Sequence, residues 1–365
     1  TDRTNMFAAV NLNGGRLTAN TFTKGTRYGS IAYLNFNGGT FRARTAGNLF
    51  GTGINTLDGV YVYPGGATID TTNLAVTANA NLRTPSGNGV SGITIVPRGG
   101  YIGPPMVNIS GGGGAGATAL ANFDSSSGFV TGVTITSPGY DYTTAPTVTL
   151  SGGGTNLQTL VTGVTLAPNT SGGLTKQGNG MLTLTGTNTY GGATTLAAGT
   201  LKLGNALALP AGTAVTFSGG ALDLNGLTLT NLVNTSGSLT GAITNGTFRT
   251  VLSPAGENCI GTQSYGLTVR SSGSLQAIYL ADVTPGGDCD VLAVQGDINL
   301  GNYTLQIVDV DGLNRAKQYT ILTCTGTRSG AFAATNLPDS RWKVYGQADG
   351  SAKLAFFDGM LMQLR

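Results

Sequence analysis

The chain has 365 residues, of which 10% are charged and 40% hydrophobic, with 60 glycines and a formal net charge of +3. That composition excludes an intrinsically disordered chain, and glycine without a three-residue period excludes collagen. Histidine is absent, which removes the commonest general base and transition-metal ligand, and the singly scattered Lys and Arg leave no nucleic-acid footprint.

The chain opens on "TDRTNMFAAV", without an initiator Met or a basic-apolar leader, and is read as a mature exported form whose signal has been removed. No apolar run has the length of a membrane span. Over residues 1–90, "NGGRLTA" at Asn13, "NGGTFRA" at Asn37 and "PGGATID" at Pro64 repeat a Gly-Gly turn followed by alternating inward positions. Strands of this kind, bounded by Gly and Asn, predict successive β-coils with long loops.

Residues 91–155 carry a different repeat. "SGITIVPRGGYIGPPMVNISGGGG" from Ser91 aligns with "TGVTITSPGYDYTTAPTVTLSGGG" from Thr131, pairing Ile93 with Val133, Val107 with Val148 and Ile109 with Leu150. Two copies predict a β-hairpin or arch module, either continuing the coils or inserted beside them. Tyr101, Tyr140, Tyr142 and Tyr190 are weighed here as a sugar-stacking strip or as covers for loop bases.

From 156 to 265 the coil signal is strongest. Leu182, Leu201 and Leu222 recur every 19 to 21 residues, each opening an apolar-polar-apolar triplet that continues to Leu184, Leu203 and Leu224. A period near 20 is one turn of a β-solenoid, in which each coil is completed only by its neighbours. Residues 266–365 have longer strands, acidic loops and the only Trp, and are read as a C-terminal capping section. Only Asn314–Gln318 offers a helical turn.

Chemistry-bearing groups are sparse. Asp282, Asp288, Asp290, Asp297, Asp309 and Asp311 form the densest acidic stretch, but no paired basic motif accompanies them, so turn and surface roles are expected. "DVDGLN" at Asp309 lacks the bidentate acid of a calcium loop. The three cysteines fit no zinc or CxxC spacing. Cys259 and Cys289, both in turn-like contexts, are the candidate disulfide, while Cys324 sits within a strand. No catalytic, cofactor or metal set emerges.

"GGLTKQGNGMLTLTGTNTYGGATTLAAGTLKLG" at Gly172–Gly204 resembles the autotransporter-associated β-strand repeat, or passenger-associated transport repeat, through Leu174, Lys176, Gly178, Gly180, Leu182, Leu184, Asn188, Tyr190, Gly192, Thr194, Gly199, Thr200, Leu201, Leu203 and Gly204. The resemblance implies a right-handed parallel β-helix, exported to the bacterial surface or beyond, and implies no catalytic activity. Two function classes remain. One is an extracellular structural or adhesive protein, as a head-to-tail filament subunit or a monomeric passenger; the other is a carbohydrate-active lyase or hydrolase on the same scaffold. The first is expected, with no enzyme activity and no cofactor. The partners expected are further copies of the chain and surface polysaccharide. Phe7 and Val10 at one end, and Leu354, Phe356, Phe357, Met360 and Leu361 at the other, are the candidate assembly residues.

Overall fold

Period-two apolar strings place alternate side chains on opposite faces of a strand, and nearly every such string in this chain is a strand. The computed structural model describes residues 7–25, 29–154, 160–230, 238–244, 247–252, 254, 262–270, 274–309, 312–335, 337 and 339–358. Among them no segment is α-helical; two short 3₁₀ turns lie at Gly53–Asn55 and Leu300–Asn302. The segment read for a helical turn makes a single reverse turn instead. Lys317 N donates to Asn314 O at 3.0 Å, and Asn314 Oδ1 accepts from Ala316 N at 2.9 Å. A short amide side chain that takes the next backbone N–H for itself stops the helix before it starts.

The chain forms two compact units. The first holds Thr1–Asp70, Thr77–Leu174 and Gly186–Gly192. Its coils stack in parallel ladders. Phe7–Leu12, Ile31–Phe36, Gly59–Val62 and Leu82–Arg83 make one, with Leu12 beside Phe36 beside Val62, and Leu34 beside Val60 beside Leu82. Arg16–Ala19, Thr40–Ala43 and Ala67–Asp70 make another, with Leu17, Phe41 and Ile69 in register. Phe36, Phe41, Val62 and Ile69 are buried, so like packs on like from coil to coil. This is a β-helix-like arrangement: each rung hydrogen-bonds to the next and supplies its apolar wall.

The two-copy module is inserted between coils. Asn88–Val96 and Leu160–Pro168 form an antiparallel stem. Beyond it lies a four-stranded antiparallel sheet in the order Phe129–Ser137, Thr118–Asp124, Met106–Ser110, Thr147–Ser151. The two copies meet directly, Val107 opposite Leu150 and Ile109 opposite Val148. The chain re-enters the stack where it left: Ser171 Oγ donates to Val62 O at 2.8 Å, and Gly172 N to Tyr63 O at 3.0 Å.

The second unit holds Thr71–Val76, Thr175–Thr185 and Ala193–Arg365. Leu182, Leu201, Leu222 and Ile243 stand in one parallel row, Leu184 and Leu203 in a second, Leu196 and Phe217 in a third. All eight, together with Leu224, are fully buried, as the 19- to 21-residue recurrence requires. Parallel stacking does not stop where the sequence texture changes. Thr262–Arg270 pairs with Val291–Val294, which pairs with Gln318–Cys324. In the facing ladder, Thr228–Thr230, Thr247–Leu252, Ser274–Val283, Tyr303–Asp309 and Ala333–Thr335 follow in order. Only the last two strands turn antiparallel: Trp342–Gly346 pairs with Ala352–Phe356, which closes onto Gln318–Cys324. The longer strands are therefore wider rungs, and the cap is this final hairpin.

Candidate functional site

Several polar residues of the repeat at 174–203 are buried: Lys176, Asn188, Tyr190 and Thr194. Lys176 is fully buried, and its Nζ donates to the carbonyls of Gln177, Gly178 and Ala198 at 2.8, 2.7 and 3.0 Å. A buried ammonium is tolerable only when its donors are satisfied, and here they tie one coil's turn to the next. Asn188 is buried too, and its Oδ1 accepts from Leu82 N at 2.8 Å, while Tyr190 is buried in the same unit. Gly199 has φ +65°, and a Cβ there would run into the carbonyls of Gly178 and Gly180. Glycine is thus demanded twice, by backbone sign and by coil contact. These motif residues are engaged in building the stack.

The module's seat on the coils is the surface that the sequence did not announce. Inner positions of Ile31–Phe36 and Gly59–Val62 are Leu34, Phe36, Val60 and Val62; Tyr33, Asn35 and Tyr61 face outward yet are also buried, because the module covers them. Tyr140 of the module stacks on Tyr61 with ring centroids 4.8 Å apart, and its hydroxyl shares a 2.7 Å hydrogen bond with that of Tyr33. Tyr63 Oη donates to Gly139 O at 3.3 Å. Burial pushes the Tyr63 phenol up to about 12, so it stays a neutral donor at physiological pH. Beside the rings runs a polar ladder. Asn35 Nδ2 donates to Asn11 Oδ1 at 2.7 Å and to Ser137 Oγ at 3.2 Å, Asn11 Nδ2 donates to Thr118 Oγ1 at 2.8 Å, and Asn13 Nδ2 donates to Thr136 O at 2.7 Å. Stacked asparagines across parallel rungs satisfy one another, and the topmost donor is free to hold a guest.

Away from the seat, the module leaves Met106, Asn108, Leu120, Thr134, Thr147 and Thr149 exposed. Met106 and Leu120 stand in register on adjacent strands. The signal for this arrangement was present in "IAYLNF" and "GVYVY", which are apolar or aromatic on both alternations. That is the mark of strands covered on both faces. A second "TGVT" at Thr162–Thr165, after that at Thr131 and the similar "SGIT" at Ser91, marks the returning stem strand and was also missed.

The remaining candidates are placed as follows. Tyr142 and Tyr190 are buried, so the four tyrosines make no exposed strip. Asp282 and Asp290 are fully buried; Asp290 Oδ2 accepts from Asp282 N at 3.2 Å, and Asp290 N donates to Asp282 O at 2.8 Å. Asp297 Oδ1 accepts from Thr327 N at 2.6 Å. The Asp290 and Asp297 carboxylates fasten backbone, and among the described residues no group of three acidic or thiol side chains could hold a metal ion. The side chains of Asp309 and Asp311 lie outside the described residues. Cys289 Sγ donates to Thr320 O at 3.3 Å; burial first, then Asp290 and Asp288, pushes its thiol up to about 12. Its candidate partner Cys259 lies outside the described residues. Phe7 and Val10 are exposed on the first described rung, with Ile31 beside them. Leu354 is fully buried, Phe356 packs edge-on against Trp342, and Phe357 packs edge-on against Tyr345. Met360 and Leu361 lie outside the described residues.

Comparison with known proteins agrees with this architecture. Residues 174–203 match the passenger-associated transport repeat, so the chain carries that repeat. The chain is also distantly similar to the adhesin BmaC autotransporter of Brucella suis biovar 1 (strain 1330), with 31% identity over 192 residues. That match takes in 50% of this chain and 5% of the relative's length.

Proposed function

We propose that this chain is a segment of an autotransporter passenger displayed outside the bacterium, in which a right-handed β-solenoid acts as a non-catalytic stalk and the inserted module is the surface offered to partners. The observation that carries this reading is the division of roles along the repeat. Lys176, Asn188, Tyr190 and Gly199 are consumed in holding coils together, whereas the module leaves Met106, Leu120 and a Thr/Asn face in solvent. The low charge and the absence of histidine suit a scaffold better than acid-base chemistry. The relative's description as an adhesin supports adhesion, with a surface polysaccharide or protein as partner. Antibodies against the purified chain should label intact, unpermeabilised cells of the producing bacterium. Labelling that requires permeabilisation overturns the reading.

A head-to-tail homopolymer is the second reading, favoured by Phe7 and Val10 exposed on the first described strand. Leu354 is committed to the core, so the opposite contact would use the backbone edge of Trp342–Gly346 rather than that side chain. Electron microscopy of the purified chain distinguishes the readings, with single rods supporting the stalk and long fibres the polymer.

A further inference from the structure

The final hairpin and the loop before it line an open cavity of about 680 Å³ in the second unit. Its lining includes Arg328, Phe332, Trp342, Lys343, Tyr345 and Gly346. Arg328 is the unusual member. Its Nε is buried without a hydrogen-bond partner, and no ion pair or hydrogen bond engages its guanidinium among the described residues. The guanidinium lies over Gly346, where any Cβ would collide with it. Arg328 is half-buried, with only its Nε shut off from solvent; its terminal nitrogens have no protein partner among the described residues and are the donors left for a ligand. The walls are already fixed: Trp342 is buried with its ring 5.5 Å from Phe356, and Arg341 sits over that same Phe356 while holding Asp339 at 3.1 Å. Asp339, the one carboxylate on the lining, is thereby neutralised, and Arg328 and Lys343 leave the cavity cationic.

We propose that this cavity binds a carboxylate-bearing sugar residue, of the uronic acid class found in acidic polysaccharides. A carboxylate matches the planar fork of Arg328 and receives two parallel N–H donors. A pyranose ring fits within a space of this size, with its apolar face against the aromatic walls and its hydroxyls toward Ser340 and Lys343. This site is separate from the module's exposed face and does not depend on surface display.

The chain has one tryptophan, so fluorescence of Trp342 reads the site directly. The purified full chain is titrated with galacturonate, galactose and acetate, with calorimetry in parallel. The expected result is a saturable Trp342 signal with galacturonate, at least about tenfold tighter than with either galactose or acetate. Arg328→Gln should weaken galacturonate binding by about tenfold or more, the range of a lost charged hydrogen bond. Lys343→Gln, at an exposed position, should weaken it by a smaller factor with folding unchanged by circular dichroism. Equal binding of galactose or acetate, unchanged affinity in a folded Arg328→Gln, or no binding of galacturonate overturns the proposal. If Arg328→Gln does not fold, an unchanged affinity in Lys343→Gln overturns it.

Discussion

Lys176 shows at the scale of one residue why the repeat reads as it does. Its ammonium answers three carbonyls inside the stack, so Lys176→Met keeps the volume and orphans those oxygens. Urea unfolding of the variant should show a loss of about 2–4 kcal/mol; a loss below measurement would mean that the carbonyls find water instead. Asp124 gives a prediction in pH. It accepts from Ser126 N, Ser126 Oγ and Ser127 Oγ at 2.9, 2.7 and 2.5 Å, first Ser127 and then Ser126 holding its carboxyl down at about 2. A depressed folded value means that the stabilisation is whole above the ordinary carboxylate range and is lost as pH falls through about 2. Carboxyl NMR should place the Asp124 midpoint near that value, with the turn 124–127 intact at pH 4; an ordinary midpoint contradicts the geometry. Cys289 is predicted to resist thiol reagents at pH 8 until the protein unfolds, since burial opposes its thiolate. Intact mass without reductant tests whether it pairs with Cys259.

At the scale of the element, coils and module differ in what holds them. Coil rows are made of leucine on leucine, so Leu203→Ala should cost about 2–5 kcal/mol by leaving a cavity between Leu184 and the next rung. The module is instead held to its seat by tyrosines and asparagines. Replacing residues 87–169 by a short turn is geometrically open, because Asn169 N already donates to Gly87 O at 2.9 Å. The coils should keep their β circular dichroism, but Tyr33, Tyr61 and Tyr63 would then face water as one aromatic patch. Light scattering should detect self-association, and Tyr33→Ser with Tyr61→Ser should relieve it. A monodisperse deletion variant would mean that the seat needs no cover.

Legibility follows the same division. The buried rows at Leu182, Leu201 and Leu222 were readable because a coil interior imposes its period on one chain segment. The seat was not, because Asn35 meets Ser137 and Tyr33 meets Tyr140 across more than 100 residues, and no local spacing encodes such a meeting. The C-terminal section misled for a related reason. Longer strands and acidic loops suggested a separate cap, yet Leu292 beside Leu322, and Tyr279 beside Leu305, are coil rows like the others. Strand length sets the width of a rung and leaves the stacking rule unchanged. The Arg328 cavity was invisible in sequence because Gly346 reads as one more turn glycine.

For the whole molecule, the proposed function means that repetition serves display: an inert stack is extended so that a differently built module can meet a partner. The most direct measurement is adhesion of beads coated with the intact chain, compared with beads carrying the 87–169 replacement made soluble by the two Tyr→Ser changes, on cell monolayers and on polysaccharide films under equal flow. Intact chain should retain beads, and the folded replacement should lose most of that retention on the surface where the intact chain holds. Equal retention by both, or none by the intact chain on any surface, would contradict the claim that the module is the displayed contact.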